Sequence, residues 1–178
     1  MPMSSLSSLI SSAESGDAGS QCDLAMKYAI GDEVAKDTRK AAFWWRKAAE
    51  QENAPSQFNL ANLYYRGDGV ERDYSQAFSW YRKAAEHGHL GFVIQFSERH
   101  TPRETNAGII AAVNAAFINL GRCFSKGHGV AKDDVEAYAY YNLGGITSEI
   151  GRDNIATLER RMTREEIAEG QRRTRQLK

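Results

Sequence analysis

Gly67-Asp68-Gly69-Val70 is the best-formed copy of a four-residue stretch that recurs along this chain of 178 residues. It returns as Gly-His-Gly-Val at 127–130 and, in altered form, as Gly-Asp-Glu-Val at 31–34. Glu33 there replaces the second glycine, which predicts a less regular first copy. A stretch that recurs in this way indicates an internal repeat rather than an isolated loop.

The sequence on both sides of this turn recurs with it. Residues 18–50 align with 54–86 at an offset of 36, and residues 54–85 align with 114–145 at an offset of 60. The second offset exceeds the first by 24 residues, which indicates an insertion between the second and third copies. A period of this size is typical of stacked supersecondary units that bury a core only against their neighbours.

Residues 54–89 show what one unit contains. Gly67 is placed to end a first helix in a left-handed cap, and Gly69 gives the turn a second conformationally free residue. Asp73 is predicted to cap a second helix, with Gln76 three residues later completing a capping box. Each unit is therefore predicted to be a hairpin of two short helices that must stack to bury its apolar side.

The third copy has the same signals. Gly127 and Gly129 form its turn, and Asp133 with Glu136 predicts a second capping box. His128 replaces the aspartate of the turn and is predicted to lie in solvent. In the second helix, glycines at 144–145 replace the Ala-Ala pair of the other copies, and we expect them to loosen this repeat. The tryptophans at equivalent positions are predicted to lie in the core between helices, namely Trp44, Trp45 and Trp80.

These motifs resemble those of the Sel-one-like repeat family, bacterial members included, which is related to the tetratricopeptide repeat. The residues that match are Leu60-Ala61-x-x-Tyr64, Gly67-x-Gly69-Val70, Asp73 and Ala77-x-x-Trp80-x-x-Lys83-Ala84-Ala85. The resemblance implies an all-α protein, an α/α superhelical solenoid of about three helix-turn-helix repeats. It also implies a scaffold for protein–protein interaction, usually without catalysis.

We expect one repeat domain over residues 1–178, closed at both ends by capping helices because a solenoid exposes its last apolar faces. A long helix is predicted from Pro102 to about Lys126, irregular at 106–108, and a capping box at Thr163 and Glu166 starts the last helix. The predicted parts are an N-terminal cap at 4–15, repeats at 18–53, 54–89 and 114–147, an insertion at 90–113, and C-terminal caps at 148–178.

Composition narrows the class of partner. The chain has 23 basic and 23 acidic residues, which argues against a duplex-DNA binder because such proteins need a basic surplus on one face. No apolar run approaches the roughly 20 residues that span a bilayer, so no membrane span is predicted. We expect a monomer with a protein or peptide partner and no nucleic acid.

The cysteines and the N-terminus bear on the compartment. Cys22 and Cys123 lie two repeats apart, too far for a disulfide, which needs Cα atoms within about 7 Å. Residues 1–6 lack the positive and apolar regions of a secretion signal. The simplest interpretation is a cytoplasmic protein with reduced thiols. An exported factor that contacts a host or envelope protein is the alternative.

No catalytic motif is found in the sequence. His87-Gly88-His89 fits a glycine-flanked turn better than a metal site, because such sites need three or four ligands. We therefore predict no catalytic residue, no metal and no cofactor. Some cysteine-rich relatives in the family that this chain resembles have been proposed as β-lactam hydrolases. An enzyme of that kind is a weaker alternative, since this chain lacks their paired cysteines.

The outward positions of the first helices are the predicted binding site. In a superhelix of this kind these helices face a concave groove in which peptides dock. Asparagine can bond a peptide backbone through both ends of its amide, and arginine suits carboxylates. The candidate residues are Asn59, Asn62, Tyr65, Arg66, Asn119, Arg122 and Lys126. Ordinary solvated helix surface is the competing interpretation, and in repeat one the same slots are mostly apolar: Asp23, Met26, Ala29 and Ile30.

Overall fold

The computed structural model describes residues 5–86, 104–145 and 148–177. Within these ranges the chain forms nine α-helices and no strand, which confirms the predicted all-α solenoid. The helices are α1 (Ser5–Glu14), α2 (Ala18–Ile30), α3 (Thr38–Glu50), α4 (Ala54–Arg66), α5 (Tyr74–Glu86), α6 (Glu104–Lys126), α7 (Asp134–Gly145), α8 (Glu149–Glu159) and α9 (Arg164–Gln176). From α1 to α8 each helix packs on the next, while α9 packs on α7 and α4 also contacts α6.

The second helix of each repeat begins after an aspartate, as the sequence predicts. Oδ1 of Asp73 accepts hydrogen bonds from the amides of Ser75 (2.9 Å) and Gln76 (3.0 Å). Asp37 and Asp133 cap α3 and α7 in the same way. These bonds satisfy amides that have no partner within the helix, so they fix where each second helix starts.

The capping boxes predicted for α5 and α7 are wrong, for a reason that recurs along the chain. In all three repeats the amide of the capping aspartate donates to a carbonyl of the preceding helix: Asp37 to Tyr28 (2.8 Å), Asp73 to Tyr64 (3.0 Å) and Asp133 to Phe124 (3.0 Å). That amide is therefore not available to a side chain three residues later. The box predicted at Thr163 and Glu166 is present and starts α9.

The second glycine of the turn brings the backbones of two repeats together. Gly69 and Gly129 have φ of +71° and +75°. A Cβ on Gly69 would lie 2.6 Å from the carbonyl carbon of Thr38, where α3 begins, and one on Gly129 would lie 2.5 Å from that of Tyr74, where α5 begins. Each turn thus packs against the start of the previous repeat's second helix, a contact that no side chain would allow.

Repeat one has a glutamate at the position of this second glycine. Glu33 adopts a φ of +58°, and its side chain is 46% exposed and bonded to the Lys27 ammonium at 2.9 Å. The side chain is accommodated because it lies in solvent rather than against a helix start. The cost of the left-handed backbone remains, about 1–2 kcal/mol for a residue with a Cβ.

The cores lie between consecutive hairpins, where alanines let the helices approach and aromatic rings fill the remaining space. Trp45 is 4% exposed and packs with Ala25, Leu60 and their neighbours, which confirms its predicted core position. Trp44 and Trp80 are only half-buried at the edge of this cluster. Further clusters join α4, α5 and α6, and join α7 with α8 and α9.

The glycines of α7 permit close packing against α6 and α8. The prediction that they loosen repeat three is therefore wrong, because it considered helix propensity and not this packing. A Cβ on Gly144 would lie 2.8 Å from the Cβ of Phe117 and would overlap the carbonyl oxygen of Asn114. One on Gly145 would lie 2.7 Å from the Cα of Gly151 in α8. Both glycines are buried, and α6 and α8 approach α7 at these points.

The long helix predicted to end at Lys126 is present as α6 over Glu104–Lys126, without the irregularity expected at 106–108. Pro102 and most of the predicted insertion lie outside the described residues.

By length and composition alone, Ala107–Lys126 could cross a membrane. The prediction that no apolar run approaches the length of a membrane span is therefore wrong. A core helix meets the same criterion, and α6 buries Ala112, Val113, Ala116, Leu120 and Cys123 in the fold.

The two cysteines are free, as predicted, and lie in different clusters. Burial raises the pKa of the Cys123 thiol to about 12, with the nearby Arg122 charge acting in the opposite direction. Burial also raises the pKa of Cys22. Because the thiolate is the reactive form, burial lowers the reactivity of both thiols at neutral pH.

Candidate functional site

The predicted binding residues lie on two helices that are in contact. Positions i, i+3 and i+7 share one side of a helix, and this spacing places three of the predicted residues on α4 and three on α6. Arg66 and Lys126 are exposed, and the other four side chains are half-buried. Because α4 packs on α6, we treat these residues as one surface, the α4–α6 face: Asn59, Asn62, Arg66, Asn119, Arg122 and Lys126.

Asn62 is joined to the core behind this face. Its Oδ1 accepts a hydrogen bond from the Tyr81 hydroxyl at 2.7 Å. Tyr81 is 1% exposed, and its ring lies 5.9 Å from that of Phe58. One acceptor position of the Asn62 carbonyl oxygen is thus taken by a buried partner, and its NH₂ group has no partner among the described residues. Sequence reasoning assigned both ends to a peptide.

Tyr65, also a predicted binding residue, joins repeat two to repeat three. Its hydroxyl lies 3.0 Å from Nδ1 of His128, and its ring meets that of Tyr74 edge-on at 5.2 Å. His128 in turn stacks on Tyr74, with ring centres 4.2 Å apart and planes 8° from parallel. The prediction that His128 lies in solvent is therefore wrong: it is half-buried, and burial lowers its pKa, helped by the nearby charges of Lys126 and Arg72.

The recurring turn in the sequence does not by itself predict this contact, because the contact depends on how the third repeat stacks on the second. The third turn follows the second by one repeat, and its backbone lies against the start of α5, where Tyr74 is located. An aromatic ring at position 128 therefore meets one at position 74. The aspartate at the equivalent position of the second turn, Asp68, is exposed and has no such ring contact among the described residues.

The Arg122 charge acts on three tyrosines, of which Tyr81 and Tyr141 are buried and Tyr65 is half-buried. Burial raises the pKa of Tyr81, Tyr65 and Tyr141, the last to about 12, and in all three the Arg122 charge opposes the shift. Arg66 opposes the shift at Tyr81 as well. Two guanidinium groups from neighbouring repeats therefore act on the same buried hydroxyl, which is consistent with the packing of α4 on α6.

The cations of this face have no carboxylate partner, a feature that they share with most of the other described lysines and arginines. Elsewhere Lys27 pairs with Asp32 and Glu33, and Arg161 pairs with Asp134. Of the part of the chain that the structure describes, no carboxylate lies within 4.0 Å of Arg66, Arg122 or Lys126. Asp68, two residues after Arg66, is among those that do not reach it.

The equivalent surface of repeat one is mostly apolar. Met26 and Ile30 occupy the slots of Asn62 and Arg66, and they are 42% and 64% exposed. Ala29 is half-buried against the core, and Asp23 is exposed. The basic residues of the predicted site are thus confined to repeats two and three, and Asp23 is the one charged residue among these positions in repeat one.

The described residues offer no site for a metal. Nowhere in residues 5–86, 104–145 or 148–177 do three His, Cys, Asp or Glu side chains converge as ligands would. His87 and His89, considered above as a metal pair, lie outside these ranges.

Comparison with known proteins gives consistent results. The model of the Sel1 repeat matches residues 18–53, 54–89 and 116–144. The crystal structure of a Sel1 repeat protein from Oxalobacter formigenes superposes with a TM-score of 0.66 at 30% identity, and the match covers 87% of this chain and 99% of that one. A comparison with curated proteins gives no match.

A second solved structure matches over a longer stretch but less closely. It is a protective antigen present in uropathogenic Escherichia coli strains, displaying an SLR fold, with 25% identity and a TM-score of 0.44. The match covers 95% of this chain and 47% of that one. The repeat model covers more than half of the chain in three segments, each containing one of the recurring turns. The chain therefore belongs to the Sel1 repeat family.

Proposed function

We propose that this protein is a non-catalytic scaffold that binds a protein or peptide across the α4–α6 face. Sel1 repeat proteins generally mediate protein–protein interaction. The observation that supports this surface is the alignment of six accessible polar side chains on two contacting helices, backed by a buried core. A rigid face of this kind loses little conformational entropy on binding, which favours affinity.

The residues divide into those that can contact a partner and those that support the face. Asn62 and Tyr65 already bond Tyr81 and His128, so their truncation would disturb the repeat junction as well as any partner. Asn59 and Asn119 have no such bond among the described residues and are the better probes. Substitutions there test the location of the binding surface without removing a charge.

The test is affinity capture from the source cell, with the captured proteins identified by mass spectrometry. We expect the double variant Asn59→Trp/Asn119→Trp to lose most of the captured partner, because two indoles would block a surface that contributes most of the binding energy. The matched control is Glu50→Ala/Arg82→Ala, which changes exposed residues of α3 and α5. Equal recovery by the blocked variant and the wild type would place the binding surface elsewhere.

We also propose that the protein works in the cytoplasm. Two free thiols in separate clusters support this, since a reducing compartment does not require them to pair. Cell fractionation with immunodetection is expected to find the protein with cytoplasmic markers. Its recovery with periplasmic or secreted markers would favour the alternative of an exported factor.

A further inference from the structure

The fold places unpaired positive charges together on the α4–α6 face. Arg66 and Arg122 come from different repeats, and both influence the Tyr81 hydroxyl, while Lys126 lies one turn beyond Arg122. Like charges held close together repel one another, and none of the three is offset by a carboxylate in the described ranges. The chain as a whole has equal numbers of acidic and basic residues, so the excess of positive charge on the α4–α6 face is local.

The setting of Arg122 makes it the stronger of the two arginine sites. Its side chain is half-buried beside the tyrosines, whereas Arg66 is exposed. A charge that is partly withdrawn from water interacts more strongly with an opposite charge than a fully solvated one does. The planar guanidinium also presents paired N–H donors that match the two oxygens of a carboxylate.

The chemistry beside the cations indicates what else the partner contains. Asn59, Asn119 and the free NH₂ group of Asn62 can bond a peptide backbone. In the preceding repeat, the equivalent helix side presents Met26 and Ile30 to solvent. Exposed apolar residues beside a polar surface are typical of protein contact sites.

We infer that the partner of the α4–α6 face is an acidic peptide segment, whose Asp or Glu carboxylates pair with Arg122 and Arg66 and whose apolar residues contact Met26 and Ile30. This inference rests on the proposed function and names the class of partner for the same surface. Arg122 provides the central contact, Arg66 and Lys126 extend it along the helices, and the asparagines hold the peptide backbone.

The direct test uses two synthetic probes and fluorescence anisotropy. The acidic probe is a fluorescein-labelled peptide with two leucines followed by four glutamates, and its isostere replaces every glutamate with glutamine. We expect the acidic probe to bind at least tenfold more tightly than the isostere, and binding to weaken about threefold between low and physiological salt. Equal binding of the two probes would overturn the inference while leaving the proposed function standing.

Variants locate the interaction on the protein. Arg66→Gln/Arg122→Gln is expected to weaken the acidic probe by at least tenfold and to leave the glutamine isostere unchanged. The matched control is Arg72→Gln/Arg82→Gln, which removes the same charge from exposed positions outside the α4–α6 face. Equal losses in the two double variants would mean that only net charge matters, and would overturn the inference.

A second readout separates this inference from its competitors. Circular dichroism should show that both double variants keep the helical signal, because Arg66, Arg122 and Arg72 make no ion pair within the described residues and Arg82 makes only an exposed one with Glu86 (3.5 Å). A single-stranded oligonucleotide of equal charge is the competing ligand. If it binds more tightly than the acidic peptide, the face is an anion site of another class and the inference fails. If neither probe binds while a cellular partner is captured through Asn59 and Asn119, the inference also fails and the proposed function stands.

Discussion

Gly129→Ala is expected to destabilise the protein by about 2–5 kcal/mol, a large share of the roughly 5–15 kcal/mol that holds a domain folded. Two costs add. A residue with a Cβ pays about 1–2 kcal/mol to adopt the left-handed backbone, and Gly129 has a φ of +75°. The new Cβ would also overlap the carbonyl group of Tyr74 and lie 2.8 Å from the amide nitrogen of Ser75. Both are backbone atoms, so relief requires the helices to separate, and such overpacking costs typically 1–3 kcal/mol more.

Gly127→Ala is the matched control, because it makes the same chemical change two residues earlier. Gly127 has nearly the same φ, +72°, but its added Cβ would lie 3.6 Å from the nearest atom, Cβ of Lys132. This variant is therefore expected to lose only the conformational term, about 1–2 kcal/mol. Urea unfolding followed by circular dichroism measures both variants, and equal losses would contradict the contact between repeats.

The same contrast applies one junction earlier, where Gly69 meets the start of α3. This role was not predicted from the sequence. A glycine that recurs in a turn indicates a backbone requirement, but the pattern is the same whether the requirement comes from φ or from a neighbouring backbone. The structure separates these two requirements, because only the second glycines, Gly69 and Gly129, lie against the backbone of the previous repeat.

What could be predicted from the sequence depends on interactions within one hairpin. The glycines that end the first helices and the aspartates that begin the second helices act over three or four residues, so their spacing was sufficient. The capping box of α9 was predicted for the same reason. The boxes of α5 and α7 failed because the amide of the aspartate bonds a carbonyl nine residues earlier, which no local pattern records.

The candidate site shows the same division. The spacing of Asn59, Asn119 and Arg122 predicted an outward-facing side of their helices, where the structure has all three half-buried, and their part in binding stays a prediction. It could not show that Tyr65 bonds His128 across a repeat junction. Nor could it show that Glu136 bonds Arg173 of α9 rather than the start of its own helix. Both contacts depend on which side chain the next unit presents, and that requires the stacking angle between repeats.

Gly144→Ala is the second change expected to have a large effect, and its sign is opposite to that of helix propensity. In an open helix, alanine is more favourable than glycine by about 0.5–1 kcal/mol. At Gly144 the added methyl would lie 2.8 Å from the Cβ of Phe117 and 3.1 Å from the amide nitrogen of Ile118. These atoms belong to α6 and cannot turn away as the end of a long side chain could. We therefore expect a net loss of about 1–2 kcal/mol, because the cost of overpacking exceeds the gain in helix propensity.

Gly108→Ala is the matched control, because Gly108 lies in α6 and no atom of the described residues is within 4 Å of the position that its Cβ would take. We expect this variant to gain about 0.5–1 kcal/mol, so the two substitutions should shift the urea midpoint in opposite directions. A stabilised Gly144→Ala protein would mean that α6 and α7 are loosely packed there, as the sequence first suggested. A destabilised one would mean that the glycine permits a close approach of two helices. Since α6 contributes Asn119 and Arg122 to the α4–α6 face, a shift of α6 at Gly144 should also weaken binding of the acidic peptide, without changing any residue of that face.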